Sequence, residues 1–278
     1  MTKQRLVAAA AVTGVLVVGG AQTTRPAFEA ASVKIHKSTS PLVRISTPPG
    51  RLSAVNVTLR MLIRNAYLFQ DFRMSGGPGW LDSDKFDVEA TAGTSVTIDQ
   101  IRSMERTLLE DRFGLKTHVE TRELPIYVLS VARRDGKLGD QIKPTGTECM
   151  PLPVPAGAPP PPPPPPGPSP GGAQQCPSIL AAGNFSGRKL TVTRMATALS
   201  QFVNREVVDR TNLSGEFDFN LRWLPDQPAA PGAPQWPIDA AAPSLFTALQ
   251  EQLGLKLEPS RAPVEVLVID GAEKPTPD

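Results

Sequence analysis

The chain is poor in the residues that build metal centres and nucleophilic active sites. Its 278 residues include only two His and two Cys. His36 and His118 lie far apart and lack a ligand spacing such as H-x-x-x-H, so they predict no metal site. Neither a G-x-S-x-G nucleophile elbow nor a G-x-x-x-x-G-K-[ST] phosphate loop occurs. The sequence therefore predicts no catalytic residue and no cofactor, although a Ser-His-Asp arrangement assembled in space stays open.

An excess of charge of either sign is also missing. The chain has 29 Lys and Arg against 27 Asp and Glu. Lys3 and Arg5 belong to an N-terminal segment that we expect to be removed, which leaves 29 − 2 = 27 positive against 27 negative residues. Because nucleic acids and anionic membranes attract proteins with a cationic excess, this balance argues against both as partners.

Proline is abundant, but much of it is confined to one segment. The chain has 31 prolines, and the stretch Pro151–Pro170 is dominated by them. The remainder has an ordinary globular composition, which excludes a collagen-like or wholly disordered protein. The run Pro159–Pro166 favours polyproline II and could bind an aromatic groove, but a spacer or a plain loop is the alternative.

The first 21 residues have the three parts of a secretory signal peptide. Met1–Arg5 is positively charged, Leu6–Val18 is apolar, and Gly19 to Ala21 are small. The apolar run is short for a membrane span, and no Cys follows the small residues, as a lipoprotein anchor would require. We expect cleavage between Ala21 and Gln22 and a periplasmic or secreted protein, with an uncleaved anchor as the alternative.

The two cysteines flank the proline-rich segment. In an oxidising compartment, a lone pair such as Cys149 and Cys176 is more often a disulfide than two free thiols. This bond would close a loop around Pro151–Pro170, and two free cysteines are the alternative.

Short sequence matches predict an internal repeat. Four of them keep the same order along the chain, at offsets between 131 and 140 residues: Val57–Leu59 with Leu190–Val192, Lys85–Val88 with Glu216–Phe219, Phe113–Lys116 with Leu253–Lys256, and Leu124–Leu129 with Ala262–Leu267. We therefore predict a first module at 22–146, a linker at 147–177, and a second module at 178–278 that carries a Pro/Ala-rich insert at 225–243.

Each module is predicted to be α+β, with the order strand-helix-strand-helix-strand-strand. The sheets are expected to be mixed or antiparallel, with helices on one face. Thr58, Thr97 and Ser244 are placed to begin helices, and Gly114 and Gly254 to end them. In the first module, Leu115–Val119 and Ile126–Val131 are predicted as a closing pair of strands.

Alternation within two predicted strands fixes which side chains face the core. Phe86 and Phe217 are predicted to point inward, and Asp87 and Asp218 outward. An outward Asp should matter little to stability unless it has a partner.

A glycine-rich turn at Gly76–Gly79 is the best candidate for a binding surface. It presents Trp80, and Asp82 and Asp84 follow at once. Pro78 removes an amide that a phosphate-binding loop would need, so the turn predicts no phosphate site. A rival hypothesis is an enzyme whose site combines Asp82, Asp84 and His118.

Several motifs together resemble one known family. They are Phe28–Lys34, Gly76–Val88, the Phe-Gly-Leu-Lys helix ending at 113–116, and Val207–Phe219. From about Phe28 to Lys274, the chain resembles an exported soil-bacterial family, abundant in acidobacteria, known as domain of unknown function 3738. The resemblance implies export and many paralogues, and in some relatives fusion to an antibiotic-sensor-type membrane metallopeptidase. It implies no activity and no catalytic residues.

A weaker resemblance concerns the order of elements, which is similar to small periplasmic modules of secretins and TonB-dependent receptors. Those modules mediate protein–protein contacts, although a fold does not determine a function. We expect a non-catalytic envelope protein that binds an unknown envelope protein or peptide, and that does not bind nucleic acid or insert stably into membranes. The alternatives are a hydrolase with an unrecognised site and a sensor or regulator of envelope stress.

The mature protein should begin at Gln22, because cleavage follows the small residues of the signal. N-terminal sequencing and intact-mass measurement of the exported protein test this start. A full-length mass in the membrane fraction would instead support the uncleaved anchor.

Overall fold

The protein is an α+β structure of three four-stranded sheets and four α-helices, seen in a computed structural model that describes residues 25–146, 176, 178–226 and 240–275. The elements before the proline-rich segment are β1 (Ala30–Ile35), β2 (Arg44–Ser46), β3 (Arg51–Val57), α1 (Leu59–Tyr67), β4 (Met74–Gly76), β5 (Phe86–Thr91), α2 (Ile98–Phe113), β6 (Lys116–Val131) and β7 (Ile142–Pro144). Single 3-10 turns lie at Asp71–Arg73 and Gly79–Asp82.

The elements after that segment are β8 (Ile179–Ala181), β9 (Asn184–Leu190), α3 (Val192–Val203), β10 (Val207–Asp209), β11 (Phe217–Arg222), α4 (Leu245–Ala248) and β12 (Leu255–Gly271). Helix α4 continues as a π-helical turn, Leu249–Leu253.

Helix ends follow the predicted capping residues. The Thr58 hydroxyl accepts the Met61 amide, and Thr97 with Gln100 forms a reciprocal capping box at the start of α2. Gly114 ends α2 in the left-handed region with φ 53°, where a residue without Cβ is not strained. The predicted helix boundaries at these positions are confirmed.

Two outer sheets have the same internal order. One runs β1-β5-β3-β2 and the other β7-β11-β9-β8, and all their neighbours are antiparallel. Phe86 on β5 and Phe217 on β11 are 2% and 5% exposed, as predicted for inward positions. Each lies on the strand that is second in its sheet.

Both outer sheets contain an irregularity that an aspartate stabilises. The register shifts between Ala54 and Val57 in the first sheet, where Asn56 has φ 56° and its amide donates to Asp87 Oδ1 at 2.9 Å. In the other sheet Lys189 has φ 50° and its amide donates to Asp218 Oδ1 at 3.0 Å. A bulge leaves an amide outside the ladder, and here a carboxylate accepts it.

Each of these carboxylates has further partners. Asp87 contacts His36 Nδ1 at 2.8 Å, while Asp218 accepts hydrogen bonds from the Thr145 hydroxyl and from Arg188 Nη1, both at 2.9 Å. Burial opposes ionisation of Asp218, but the Lys189 amide, Arg188 and Thr145 outweigh it and lower its pKa. Both aspartates alternate with the buried Phe86 and Phe217 as predicted. Each also has partners, because it accepts a bulge amide, so it is not an outward Asp of little consequence.

The third sheet joins the two halves of the chain and has the order β10-β6-β12-β4. Strands β6 and β12 pair antiparallel along their whole length, from Leu255 opposite Val131 to Gly271 opposite Lys116. The short strands β10 and β4 are parallel neighbours, Val207 opposite Tyr127 and Met74 opposite Leu267. The long β6–β12 pair is called the central ribbon below.

The central ribbon contributes to both hydrophobic cores. One core lies among β1, β3, β5, α1 and α2, and it includes Leu267 and Ile269 from β12. The other lies among β9, β11, α3 and α4, and it includes Leu129 and Ile142 from before the proline-rich segment. Each core is thus completed by residues from the opposite side of that segment. The module boundaries predicted at 146 and 178 stay predictions.

Two details of the predicted element order were wrong. The closing pair of strands in the first half is one continuous strand, β6, and the second half closes likewise with β12. The gap predicted between Val119 and Ile126, which contains Pro125, lies inside β6. The turn predicted at Gly76–Gly79 shares its first residue with strand β4, Met74–Gly76. Three residues are too few for an alternating pattern to indicate a strand.

Asp218→Ala should lower the free energy of unfolding by about 1–3 kcal/mol, because it leaves the Lys189 amide and the Arg188 guanidinium without this acceptor. Urea unfolding measures the effect. Arg222→Ala, at an exposed side chain of the same strand, should change stability by less than about 0.5 kcal/mol. Equal stability of the two variants would contradict the role assigned to Asp218.

Candidate functional site: the open edge of the central ribbon

The main chain of β6 presents alternate residues to its outer edge. The Tyr127 amide donates to the Glu206 carbonyl at 2.8 Å, and the Leu129 carbonyl accepts from the Arg210 amide at 2.8 Å. Because the register with β12 is continuous from Leu255 to Ile269, every second residue of β6 before Tyr127 faces the same edge. Those residues are Thr117, Val119, Thr121, Glu123 and Pro125.

Strand β10 covers this edge only from Tyr127 to Leu129. Within the described residues, no strand pairs with the outer edge of β6 between Thr117 and Pro125. A side chain of β12 reaches one of its carbonyls, since Arg261 Nη2 donates to the Glu123 carbonyl at 3.0 Å. We call Thr117–Pro125 the open edge.

The corresponding edge of β12 is protected by proline. Leu267 lies beside β4 as Tyr127 lies beside β10. Counting back from these two residues, Pro259 and Pro263 of β12 correspond to Val119 and Glu123 of β6. Both prolines direct their ring nitrogens away from β6, since they lie opposite Tyr127 and Glu123, whose amides also face outward. They therefore remove two outward donors from the middle of this edge of β12. On β6 the corresponding donors are kept, and Pro125, which lacks one, lies at the end of the open edge next to the part that β10 covers.

The side chains at the open edge are accessible and carry both signs of charge. Val119 is 52% exposed. Arg122 forms an ion pair with Glu120 on the same face. His118 Nδ1 lies 2.9 Å from Asp270 Oδ2, and this hydrogen bond, together with Glu120, raises the pKa of His118.

The binding surface predicted at Trp80, Asp82 and Asp84 is not part of the open edge. It lies on and just after the 3-10 turn Gly79–Asp82, before β5. Trp80 is half-buried: its ring packs edge-on against Phe86 at 6.3 Å, and Lys274 Nζ lies 5.9 Å from the ring centre. Asp82 pairs with Arg60, and Asp84 with Lys274 at 2.7 Å, which lowers the pKa of Asp84. These ion pairs connect the turn to α1 and to the segment that follows β12.

The three residues of the rival enzyme hypothesis do not contact one another through these ion pairs. Asp82, Asp84 and His118 each pair with a different residue, Arg60, Lys274 and Asp270. In the described ranges, His, Cys, Asp and Glu form no group of three or more that could hold a metal ion. His36 is bound to Asp87.

Other predicted residues fall outside the part of the chain that the structure describes. Ala21 and Gln22 precede residue 25, and Cys149 lies in the gap between 146 and 176. The cleavage site and the Cys149–Cys176 disulfide therefore stay predictions.

The described surface also has an open cleft of about 460 Å³ beside the C-terminal ends of α1 and α3. Its lining mixes apolar side chains with amides and one ion pair: Arg64, Leu68, Phe69, Gln70, Asp71, Phe72, Gln201 and Asn204. The Gln70 amide bridges to the Thr197 carbonyl at 3.2 Å, so it ties the loop after α1 to helix α3.

Sequence reasoning missed a buried carboxyl group between the first two helices. Glu105 on α2 is fully buried and accepts a hydrogen bond from Asn65 Nδ2 at 2.7 Å. Burial raises the pKa of Glu105 to about 8, although Asn65, Arg102 and Arg106 favour the charged form. The helical spacing could have indicated this burial, because Glu105 follows Ile101 by four residues and so lies on the same apolar face of α2.

A comparison with protein-family models matches residues 60–272 to a protein family of unknown function, DUF3738. The chain belongs to this family. No curated protein and no solved structure matches it. The family match covers α1, the central ribbon and most of both cores, so the open edge lies within the family's shared region. Among the described residues of this DUF3738 protein, no helix is both long and apolar enough to cross a membrane.

The buried Glu105 should make stability depend on pH. Below about pH 4.5 the carboxyl is neutral in both states, and between about 4.5 and 8 only the unfolded chain loses the proton, so stability falls as pH rises through this window. Glu105→Gln keeps a neutral side chain, so it should match wild type at pH 5 and be more stable at pH 8, by about 3 kcal/mol.

Urea unfolding at pH 5 and pH 8 measures this difference, with Asp111→Asn, at an exposed position of the same helix, as the matched control. Parallel stability of wild type and Glu105→Gln across the window would show that Glu105 is ionised in the folded protein.

Proposed function

We propose that this protein is an exported, non-catalytic envelope protein that binds an extended peptide segment of a partner by adding it as a strand to the open edge. The observation that carries the proposal is the contrast between the two edges of the central ribbon. One keeps its outward amides at Val119 and Glu123, while the other has Pro259 and Pro263 at the corresponding places.

Strand addition uses the main chain for affinity and alternate side chains for selectivity. A peptide along the open edge could pair with Thr117, Val119 and Thr121 through both amide and carbonyl groups. Each such hydrogen bond contributes about 0.5–1.5 kcal/mol net. Six such bonds contribute about 3–9 kcal/mol in total, against about 8 kcal/mol for a micromolar complex, so side-chain contacts must supply the remainder.

The side chains on the two faces of the edge favour a peptide of mixed character. Val119 and Thr121 share one face and offer an apolar and a small polar contact. His118, Glu120 and Arg122 share the other, where a bound strand would meet charges of both signs. Directly opposed charged pairs contribute roughly 0.2–1 kcal/mol when complementary and oppose binding when alike.

Export rests on the N-terminal pattern of Lys3, Arg5 and the apolar run to Val18, with processing before Gln22. A periplasmic or secreted location would give the open edge access to envelope proteins. The disulfide between Cys149 and Cys176 and an origin in soil bacteria belong to the same proposal. So does kinship with the periplasmic modules of secretins and TonB-dependent receptors.

The internal repeat is part of the proposal as well. The repeat is supported by the equal strand order of the outer sheets and by the two bulges held by Asp87 and Asp218. The pairing of β4 with β12 and of β10 with β6 supports it further. On this proposal the duplicated units exchanged short strands, and one copy of the ribbon edge gained prolines while the other stayed open for a partner.

Thr121→Pro should weaken peptide binding at least about tenfold, because it removes one outward donor and places a ring where the peptide strand must lie. Peptides are first selected on the wild-type mature protein from a phage-displayed library of random linear sequences. Their affinities for the variants are then measured by fluorescence polarisation.

Arg261→Pro is the matched control, since Arg261 occupies the corresponding position on the proline-protected edge of β12. Because Arg261→Pro also removes the guanidinium that donates to the Glu123 carbonyl, it is compared with Arg261→Ala, which loses the same guanidinium but keeps the main-chain amide. The two Arg261 variants should bind the selected peptides equally well. Selected peptides that bind both proline variants equally, or a library that yields no binder, would refute the proposal. Unfolding curves of both variants show that the fold persists.

A further inference from the structure

We infer that the open edge also pairs with itself, so that two molecules join antiparallel through Thr117–Pro125 in a two-fold dimer centred on Thr121. This inference rests on the proposed function, because it fills the same edge, and it names a second copy of the chain as one occupant. The extent of the edge and the order of its charges each support it.

The limits of the open edge fix the centre of a self-pairing. At one end, β6 begins just after Gly114, the residue that ends α2. At the other end, β10 begins to cover the edge at Tyr127. An antiparallel pairing that uses the whole stretch places Thr117 opposite Pro125 of the second molecule, so the proline costs one hydrogen bond at each end and none in the middle. Its two-fold axis then passes through Thr121.

The charges favour the same register. In this pairing the residues whose main-chain groups face outward form the hydrogen-bonded pairs, with Pro125 offering its carbonyl alone, and the intervening residues form the closer, non-hydrogen-bonded pairs. Glu120 of each molecule then lies opposite Arg122 of the other, which gives two complementary pairs. His118 lies opposite Leu124, so no like charges meet on this face.

Neighbouring registers bring like charges together. Centring the pairing on Glu120 sets that carboxylate against its own copy, and centring it on Arg122 does the same for the guanidinium. Centring it on Val119 sets Arg122 against Lys116. Directly opposed like charges destabilise a strand pair, so the Thr121 register is selected among its neighbours.

The dimer would be closed. A two-fold pairing uses the same patch on both molecules, so each open edge is consumed. The other outer edge of the ribbon cannot continue the sheet in the same way, because Pro259 and Pro263 lack the outward donors. Self-association should therefore stop at two molecules rather than build a fibre.

Charge reversal tests both the contact and its register. Glu120→Arg and Arg122→Glu should each place like charges opposite one another and weaken the dimer at least about tenfold. An equal mixture of the two variants should restore dimers, because one variant is then positive and the other negative at both positions, so opposite charges meet across the axis. Sedimentation velocity of the mature protein over a range of concentrations measures each species.

Three results would overturn the inference: a wild-type protein that stays monomeric at every concentration, single variants that dimerise like wild type, or a mixture that stays monomeric. The peptide measurements separate its failure from that of the proposed function. A monomeric protein whose selected peptides are still lost on Thr121→Pro retains the proposed function and loses only the dimer.

Discussion

The antiparallel pairing of β6 with β12 is the interaction on which the rest of this structure depends. Each of these strands begins beneath one hydrophobic core and ends beneath the other. Leu267 and Ile269 at one end, and Leu129 at the other, are the residues through which the ribbon enters the cores. A change that separates these strands would therefore open both cores at once, so we expect the chain to unfold as one cooperative unit.

The prolines of the ribbon show how a long strand pair tolerates residues that cannot donate a hydrogen bond. Pro125, Pro259 and Pro263 all occupy positions whose main-chain nitrogen faces away from the partner strand. The ladder between β6 and β12 therefore loses no bond, and the loss falls on the outer edges alone. Proline at these positions decides where a further strand can pair without weakening the ribbon.

Local signals in the sequence predicted local features well. Thr58, Thr97 and Gly114 mark helix ends, and Phe86 and Phe217 mark buried strand positions, because capping and alternation depend on neighbours in the chain. The continuous β6 was missed since a proline in a strand is read as a break unless its outward orientation is known. The role of Asp87 and Asp218 was missed for a similar reason: the bulge amides that they accept come from another strand. The open edge could not be predicted at all, because it depends on which strands pair and where β10 stops.

The position of the open edge explains how a binding surface can exist on strands that are essential to the fold. The side chains of Val119, Thr121 and Glu123 belong to neither of the two cores. Their main-chain groups face away from β12, so a partner strand can be gained or lost without breaking a hydrogen bond between β6 and β12. The Arg261 guanidinium already donates to the Glu123 carbonyl, which a partner strand would share. Selection could therefore alter these residues with little effect on stability.

The same independence leaves an edge that must be either occupied or protected, since an uncovered strand with an exposed valine invites non-specific pairing. Prolines protect it on β12, and on β6 a specific partner strand would serve the same purpose.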